Sequence, residues 1–415
     1  MLADADPTVG YDLAIMGVLV VFLMLALALT GCSYRQDGEP ASQRPVGPPP
    51  STMATAGVTS NSGITPRQPD RRRAGLPGMP PVLDPDDVYA ATRPGQLSPV
   101  VRRFPTRVYV PNSASNTVDV IDARTFKLVR RFPVGRQPQH VTPSWDLRTL
   151  WVGNNRGNSL TAIDPATGRR GRTVKVADPY NLYFTPDGRR AIVVAEALRR
   201  LDFRDPTTMR LRHSLRVPCR GVDHMDFSAD GRRLLASCEF SGQLVWVDVA
   251  RERVVGVLRL NPGAMPQDVK LAPDGRVYYV ADLALHGVWV IDATRPRVLG
   301  FVHTGFGAHA LYASRDSRHL YVSNRGEGSI SLISFATRKV EATWRLPGGG
   351  SPDMGGVSAD GKVLWLAGRY HAEVYAIDTR SGRLLARIPV GAAPHGLCVY
   401  PQPGRYSLGH TGVFR

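Results

Sequence analysis

One feature dominates this chain: a unit of about 42 residues recurs from Arg107 to Tyr400. A short hydrophobic stretch closes one strand in each copy, at Tyr109-Val110, Trp151-Val152, Val193-Val194, Ala236-Ser237, Tyr279-Val280, Tyr321-Val322 and Trp365-Leu366. Successive spacings are 42, 42, 43, 43, 42 and 44 residues. Between these landmarks apolar and polar residues alternate over short runs such as Ser329-Ile330-Ser331-Leu332-Ile333, the period of a strand. Four short strands in such a unit, copied seven times, are the pattern of propeller blades. The sequence therefore predicts an all-β fold, a seven-bladed β-propeller with four-stranded antiparallel blades. A helical solenoid would need a 3.6-residue period, and none is present.

Two further landmarks keep the same phase. A hydrophobic residue precedes Asp at Ile121-Asp122, Ile163-Asp164, Val247-Asp248, Ile291-Asp292 and Ile377-Asp378, with Asp205 and Ser334 at the matching places in the third and sixth copies. Asp-Gly turns stand at Asp187-Gly188, Asp230-Gly231, Asp274-Gly275 and Asp360-Gly361, with Asp316-Ser317 as a variant. Both sets are read as structural, since Asp satisfies turn backbone and Gly accepts the left-handed conformation. At Tyr321-Val322-Ser323-Asn324, Tyr109-Val110-Pro111-Asn112, Pro394-His395-Gly396 and Ser358-Ala359-Asp360-Gly361 the chain resembles the YVTN family of β-propellers, which includes YncE-like proteins. The resemblance spans residues 107–400. It implies the fold and leaves the role open, because one scaffold of this kind hosts many functions.

The phase also predicts how the ring closes. The ordered chain enters at a second strand near Val108, so the missing innermost strand of the first blade is the last one, His395 to Tyr400. In this phase the starts of the inner strands and the ends of the second strands share one face. The first set is His140, Asn181, His224, Asp268, His309, Asp353 or Met354, and His395. The second is Asn112, Asn154, Glu196, Glu239, Asp282, Asn324 and Arg369. Polar groups converging on a concave mouth form the candidate ligand site. Four imidazoles beside carboxylates could hold a divalent metal or supply acid and base, and a divalent metal is the one cofactor considered. The competing account is that these residues only satisfy strand-end backbone or line a water-filled channel. His224, Glu239 and Glu196 stand out, because acidic residues replace the family's usual Asn at two neighbouring positions.

Outside the repeat, Leu13 to Leu29 is an apolar run that suits a secretory signal or a short membrane helix. Leu29-Thr30-Gly31-Cys32 resembles the lipobox of bacterial lipoproteins, which implies diacylation of Cys32. The leading segment carries Asp4, Asp6 and Asp12 and no Lys or Arg, so a lipid anchor, an uncleaved anchor and a different start remain alternatives. The expected organisation is 1–32 signal or anchor, 33–98 Pro-rich disordered linker, 99–404 propeller and 405–415 C-terminal tail. The linker composition cannot bury enough apolar surface to offset its ordering entropy. The expected location is the extracytoplasmic face of the cell membrane, as a monomer.

The formal net charge is +17, but the arginines are scattered and no aromatic stripe accompanies them. A solvated basic surface is favoured over a nucleic-acid site. Of the other cysteines, Cys219 and Cys238 lie at the same predicted mouth, where a disulfide and two free thiols are both open, and Cys398 reads as core. No Cys-x-x-Cys-His, phosphate-binding glycine loop or Gly-x-Ser-x-Gly elbow is present, which argues against covalent c-type haem, nucleotide hydrolysis and a serine hydrolase. Two classes remain: a binding or scaffolding module for a protein or small ligand, and a metal-dependent hydrolase or lyase using the His/Glu/Asp ring. Deleting residues 395–415 is expected to open the ring and leave an insoluble or molten protein. A soluble variant with a cooperative thermal transition would contradict the closure.

Overall fold

The structure is a computed structural model that describes residues 75–410 and 412–415. The apolar run, Cys32 and the linker up to residue 74 lie outside the described residues. Seven antiparallel sheets form the ring. Blade 1 contains Arg107–Asn112, Thr117–Asp122 and Lys127–Pro133, with Cys398–Tyr400 as its innermost strand. Arg107 pairs with Tyr400, Val108 with Val399 and Tyr109 with Cys398, so the last repeat strand closes the ring as its phase requires. The inner strands of blades 2 to 7 are Pro138–Pro143, Asn181–Phe184, Val222–Phe227, Pro266–Leu271, Ala308–Ala313 and Pro352–Val357.

Burial explains the composition of each strand position. A middle strand such as Leu150–Asn154 is covered on both faces by neighbouring blades and is buried throughout. An outer strand such as Arg253–Arg259 alternates exposed and half-buried residues, which is why the arginines collect at the rim. The turns at the face opposite the mouth follow one scheme. In blade 4, Ser228 Oγ donates to Asp230 Oδ1, and Asp230 Oδ1 also accepts from the Arg232 amide. Gly231 follows at φ +68°, where a side chain would be strained. At the outer hairpins the Ile-Asp aspartates cap their own turns: Asp122 Oδ1 accepts the amides of Arg124 and Thr125.

Both chain ends differ from the sequence expectation. Residues 75–98, which composition assigns to the linker, lie across the turn face. The Leu76 amide donates to Asp230 O of blade 4, and the Val88 amide donates to Pro273 O of blade 5. Tyr89 Oη donates to Leu271 O at 2.7 Å, and Ser317 Oγ of blade 6 reaches Asp87. Phe104 then packs on Tyr400 of blade 1. Three buried anchors, Leu76, Val88 and Tyr89, supply the apolar area that the bulk composition hides.

Residues 405–415 do not trail from the disc either. Ser407–Gly409 and Val413–Phe414 add two strands to the inner edge of blade 3, so the tail occupies the channel. Tyr406 and Leu408 are buried among residues of blades 3 and 4, at about 2 kcal/mol of hydrophobic stabilisation for each such side chain. Arg415 Nη2 lies 2.9 Å from Asp226 Oδ1, with both groups buried. Breaking such a pair from one side generally costs about 3–5 kcal/mol, because the remaining charge has no water.

Candidate functional site

The inner strands of blades 2, 4, 5, 6 and 7 leave regular pairing near their starts. Register shifts fall between Pro138 and Val141, Val222 and Met225, Pro266 and Val269, Ala308 and Leu311, and Pro352 and Gly355. Such bulges re-aim side chains. They fall at the residues that the sequence ranks as mouth candidates. His140, Asn181, His224, Asp268, His309, Asp353 and His395 are all buried in the channel, at 3% exposure or less. Met354, the alternative to Asp353, belongs to an apolar core cluster instead. Close approach has a glycine requirement here: a Cβ on Gly396 would lie 2.1 Å from the His140 ring.

The tail brings His410 to the same place, fully buried. Ring centroids of His140 stand 5.4 Å from His224, 4.8 Å from His395 and 5.2 Å from His410, and His224 stands 4.7 Å from His410. His140 Nδ1 donates to Tyr180 O at 3.0 Å. The Asn181 amide nitrogen sits 3.0 Å from His224 Nδ1 and 3.1 Å from His410 Nδ1. His140 Nε2 and His224 Nε2 have no hydrogen-bond partner. Burial lowers His140 to about 4. Burial, then the neighbouring imidazoles, hold His224 and His410 well below the usual histidine value. These rings are therefore neutral at pH 7.

Asp353 organises the other side of the cluster. His309 Nδ1 lies 2.7 Å and His395 Nδ1 2.6 Å from its two oxygens, and Arg325 Nη1 lies 3.4 Å away. Burial opposes the Asp353 charge, but His309, His395 and Arg325 outweigh it and hold the carboxyl well below its usual range. Asp268 is tied into the fold, accepting the amides of Val269 and of Leu311 in the next blade. Burial raises it to about 6.

Towards the mouth the chemistry changes to carboxyls. Burial, then Glu239 and Asp178, raise Glu196 to about 8. Asp223 is 1% exposed and raised well above its usual value by burial, then by Glu239 and Glu196. His224 Nε2 lies 3.2 Å from Asp223 Oδ1, and the Tyr180 hydroxyl also bears on that carboxyl, lowering it against the larger effect of burial. Phe240 and Tyr370 are exposed at 38% and 54%. A disulfide joins Cys219 to Cys238, Cα atoms 6.1 Å apart, and fixes the loop that meets Glu239. Cys398 is a free, buried thiol.

The second-strand positions divide. Asp282 takes the Trp289 indole and the amides of Met265, Ala284 and Leu285. Asn324 donates to Ser329 and Ser331, Asn154 to Ser159 and Thr161, and Asn112 to Thr117. These four hold their own hairpins, as strand-end hydrogen bonding requires. Arg369 is half-buried and reaches Ser113 Oγ at 3.5 Å. The sequence reading misses His410 and Asp223. His410 follows the last repeat and has no counterpart to align with. Asp223 sits one residue before His224, where the bulge changes which side chain turns inward.

The family model described as YNCE-like beta-propeller matches residues 86–404. The protein YncE of Salmonella typhi is 23% identical over 262 residues, 60% of this chain and 73% of that protein. Among solved structures, Kuenenia stuttgartiensis hydrazine synthase aligns at 20% identity over 68% of this chain and 92% of its own, with a TM-score of 0.53. A functionally unknown protein from Desulfotomaculum acetoxidans aligns at 14% identity over 71% of this chain and 98% of its own, with a TM-score of 0.60. At these identities the structures share the fold alone.

The raised Glu196 carboxyl has a pH signature. The folded protein keeps a proton near pH 8 that the unfolded chain loses near its ordinary value of 4.5. Stability is therefore expected to fall as pH rises through that window and to level off above it. Glu196→Gln should flatten part of this slope, leaving the urea midpoint unchanged at pH 4 and raised at pH 9. Identical pH profiles for the two proteins would contradict the assignment.

Proposed function

The chain belongs to the YncE-like β-propeller family, and from that premise we propose a membrane-tethered, extracytoplasmic binding module. Its channel mouth takes a cationic group carried by a small ligand or by a segment of a partner protein. The observation that carries this reading is Asp223, a carboxyl that is 1% exposed and raised well above its usual value by burial, then by Glu239 and Glu196. One buried and two half-buried carboxyls that repel one another are costly to ionise together, and a bound cation offsets that cost. The tether rests on the apolar run Leu13 to Leu29, the lipobox-like Leu29-Thr30-Gly31-Cys32 and the Pro-rich stretch after it. The disulfide agrees with an oxidising compartment.

Calorimetric titration of the full chain with spermidine and with a lysine-rich peptide tests the mouth. Binding of at least one probe is expected, with affinity about tenfold higher at pH 9 than at pH 6.5, which corresponds to about 1.4 kcal/mol. Glu196→Gln combined with Glu239→Gln should remove that gain. Failure of both probes, or affinity indifferent to pH and to the double variant, would end this reading. For the tether, Cys32→Ser is expected to abolish palmitate labelling and move the protein out of the membrane fraction. Unchanged labelling would exclude a lipid on Cys32.

A further inference from the structure

We propose that His140, His224 and His410 hold one divalent transition-metal ion of the zinc class, and that this ion fixes the C-terminal segment in the channel. Each histidine offers one ring nitrogen, and the three nitrogens lie within 4.8 Å of one another. A tetrahedral site with metal–nitrogen bonds of about 2.1 Å places its ligands about 3.4 Å apart, so small ring rotations close the set around an ion. The imidazoles come from separate parts of the chain: the inner strand of blade 2, the inner strand of blade 4 and the tail. The other two channel histidines are not available, because His309 and His395 are engaged with Asp353.

The surroundings match what a histidine-rich metal centre needs. A ligating imidazole hands its other N–H to an oxygen. His140 already does so, Nδ1 to Tyr180 O, and its buried Nε2 has no partner. His224 Nε2 is likewise buried without a hydrogen-bond partner. The single amide of Asn181 spans Nδ1 of both His224 and His410. Turning that amide over would present its oxygen to both rings as Nδ1–H acceptor, at the cost of the hydrogen bond its Oδ1 accepts from the Leu182 amide. Two carboxyls adjoin the set and can balance a double positive charge. Asp223 Oδ1 lies 3.2 Å from His224 Nε2, and Asp268 Oδ1 lies 3.7 Å from His410 Nε2. An all-imidazole donor set selects zinc, copper, nickel or cobalt over calcium or magnesium.

The site adjoins the carboxyl mouth through Asp223, but neither Glu196 nor Glu239 is a ligand. The test uses the full chain, stripped with a chelator and titrated with zinc and with cobalt(II). One ion per chain by elemental analysis is expected, with visible cobalt absorption of a nitrogen-rich, low-coordination centre. Zinc should raise the melting temperature and protect the tail from carboxypeptidase. His410→Asn and His140→Gln should each weaken the ion at least tenfold, whereas Glu196→Gln with Glu239→Gln should leave it bound. His140→Gln alters the ring and not the tail, so it keeps the test valid if His410→Asn loosens the C-terminus. No stoichiometric ion, or an ion retained by both histidine variants, overturns the proposal. So does an ion lost only from the glutamate variant. Loss of cation binding at the mouth with the channel ion retained would instead count against the function reading alone.

Discussion

Everything in this molecule follows from the pairing of Cys398–Tyr400 with Arg107–Tyr109. That short ladder turns a row of blades into a ring and removes the sheet edges that an open row would expose. It also creates a difficulty. Seven inner strands meet around an axis without filling it, and their starting residues are polar. The tail answers this from within, adding two strands along blade 3. Ring closure and channel filling are thus performed by consecutive stretches of the same chain end.

Charge inside the channel is handled in two ways. Asp353 is surrounded by His309, His395 and Arg325, so its ionised form is paid for by neighbours at short range. Asp223 lies in equally dry surroundings with like-charged neighbours, and these push its carboxyl well above the usual value. In a low-dielectric interior that contrast is large, because the same attraction that rewards a paired charge is missing for a lone one. The first arrangement stabilises the fold as it stands. The second is the sort of imbalance found where something else is meant to bind.

The ring was legible because each blade needs the same turn chemistry. Asp230-Gly231 and its copies must sit at fixed distances from strands that neighbouring blades cover on both faces, and that leaves a period in the text. The phase of that period was enough to place the closing strand. Side-chain direction was less legible. Asn154 and His140 occupy equally polar positions in blade 2, yet Asn154 turns to its own hairpin and His140 into the channel, a choice made by the bulge between Pro138 and Val141. The chain ends were least legible. Leu76, Val88 and Tyr89 are anchors without a period, and Tyr406-Ser407-Leu408 is too short an alternation to read as a strand. His410 has no repeated partner, so only three-dimensional folding reveals its company.

The course of residues 75–104 bears on mechanics. A pull applied at Gly75 would meet backbone hydrogen bonds to blades 4 and 5 and a side-chain contact to blade 6 before it reached the first strand of the ring. The load is spread across the underside of the disc in shear, and the closing ladder of blade 1 lies last in line. A disc loaded this way resists being unzipped from its own end.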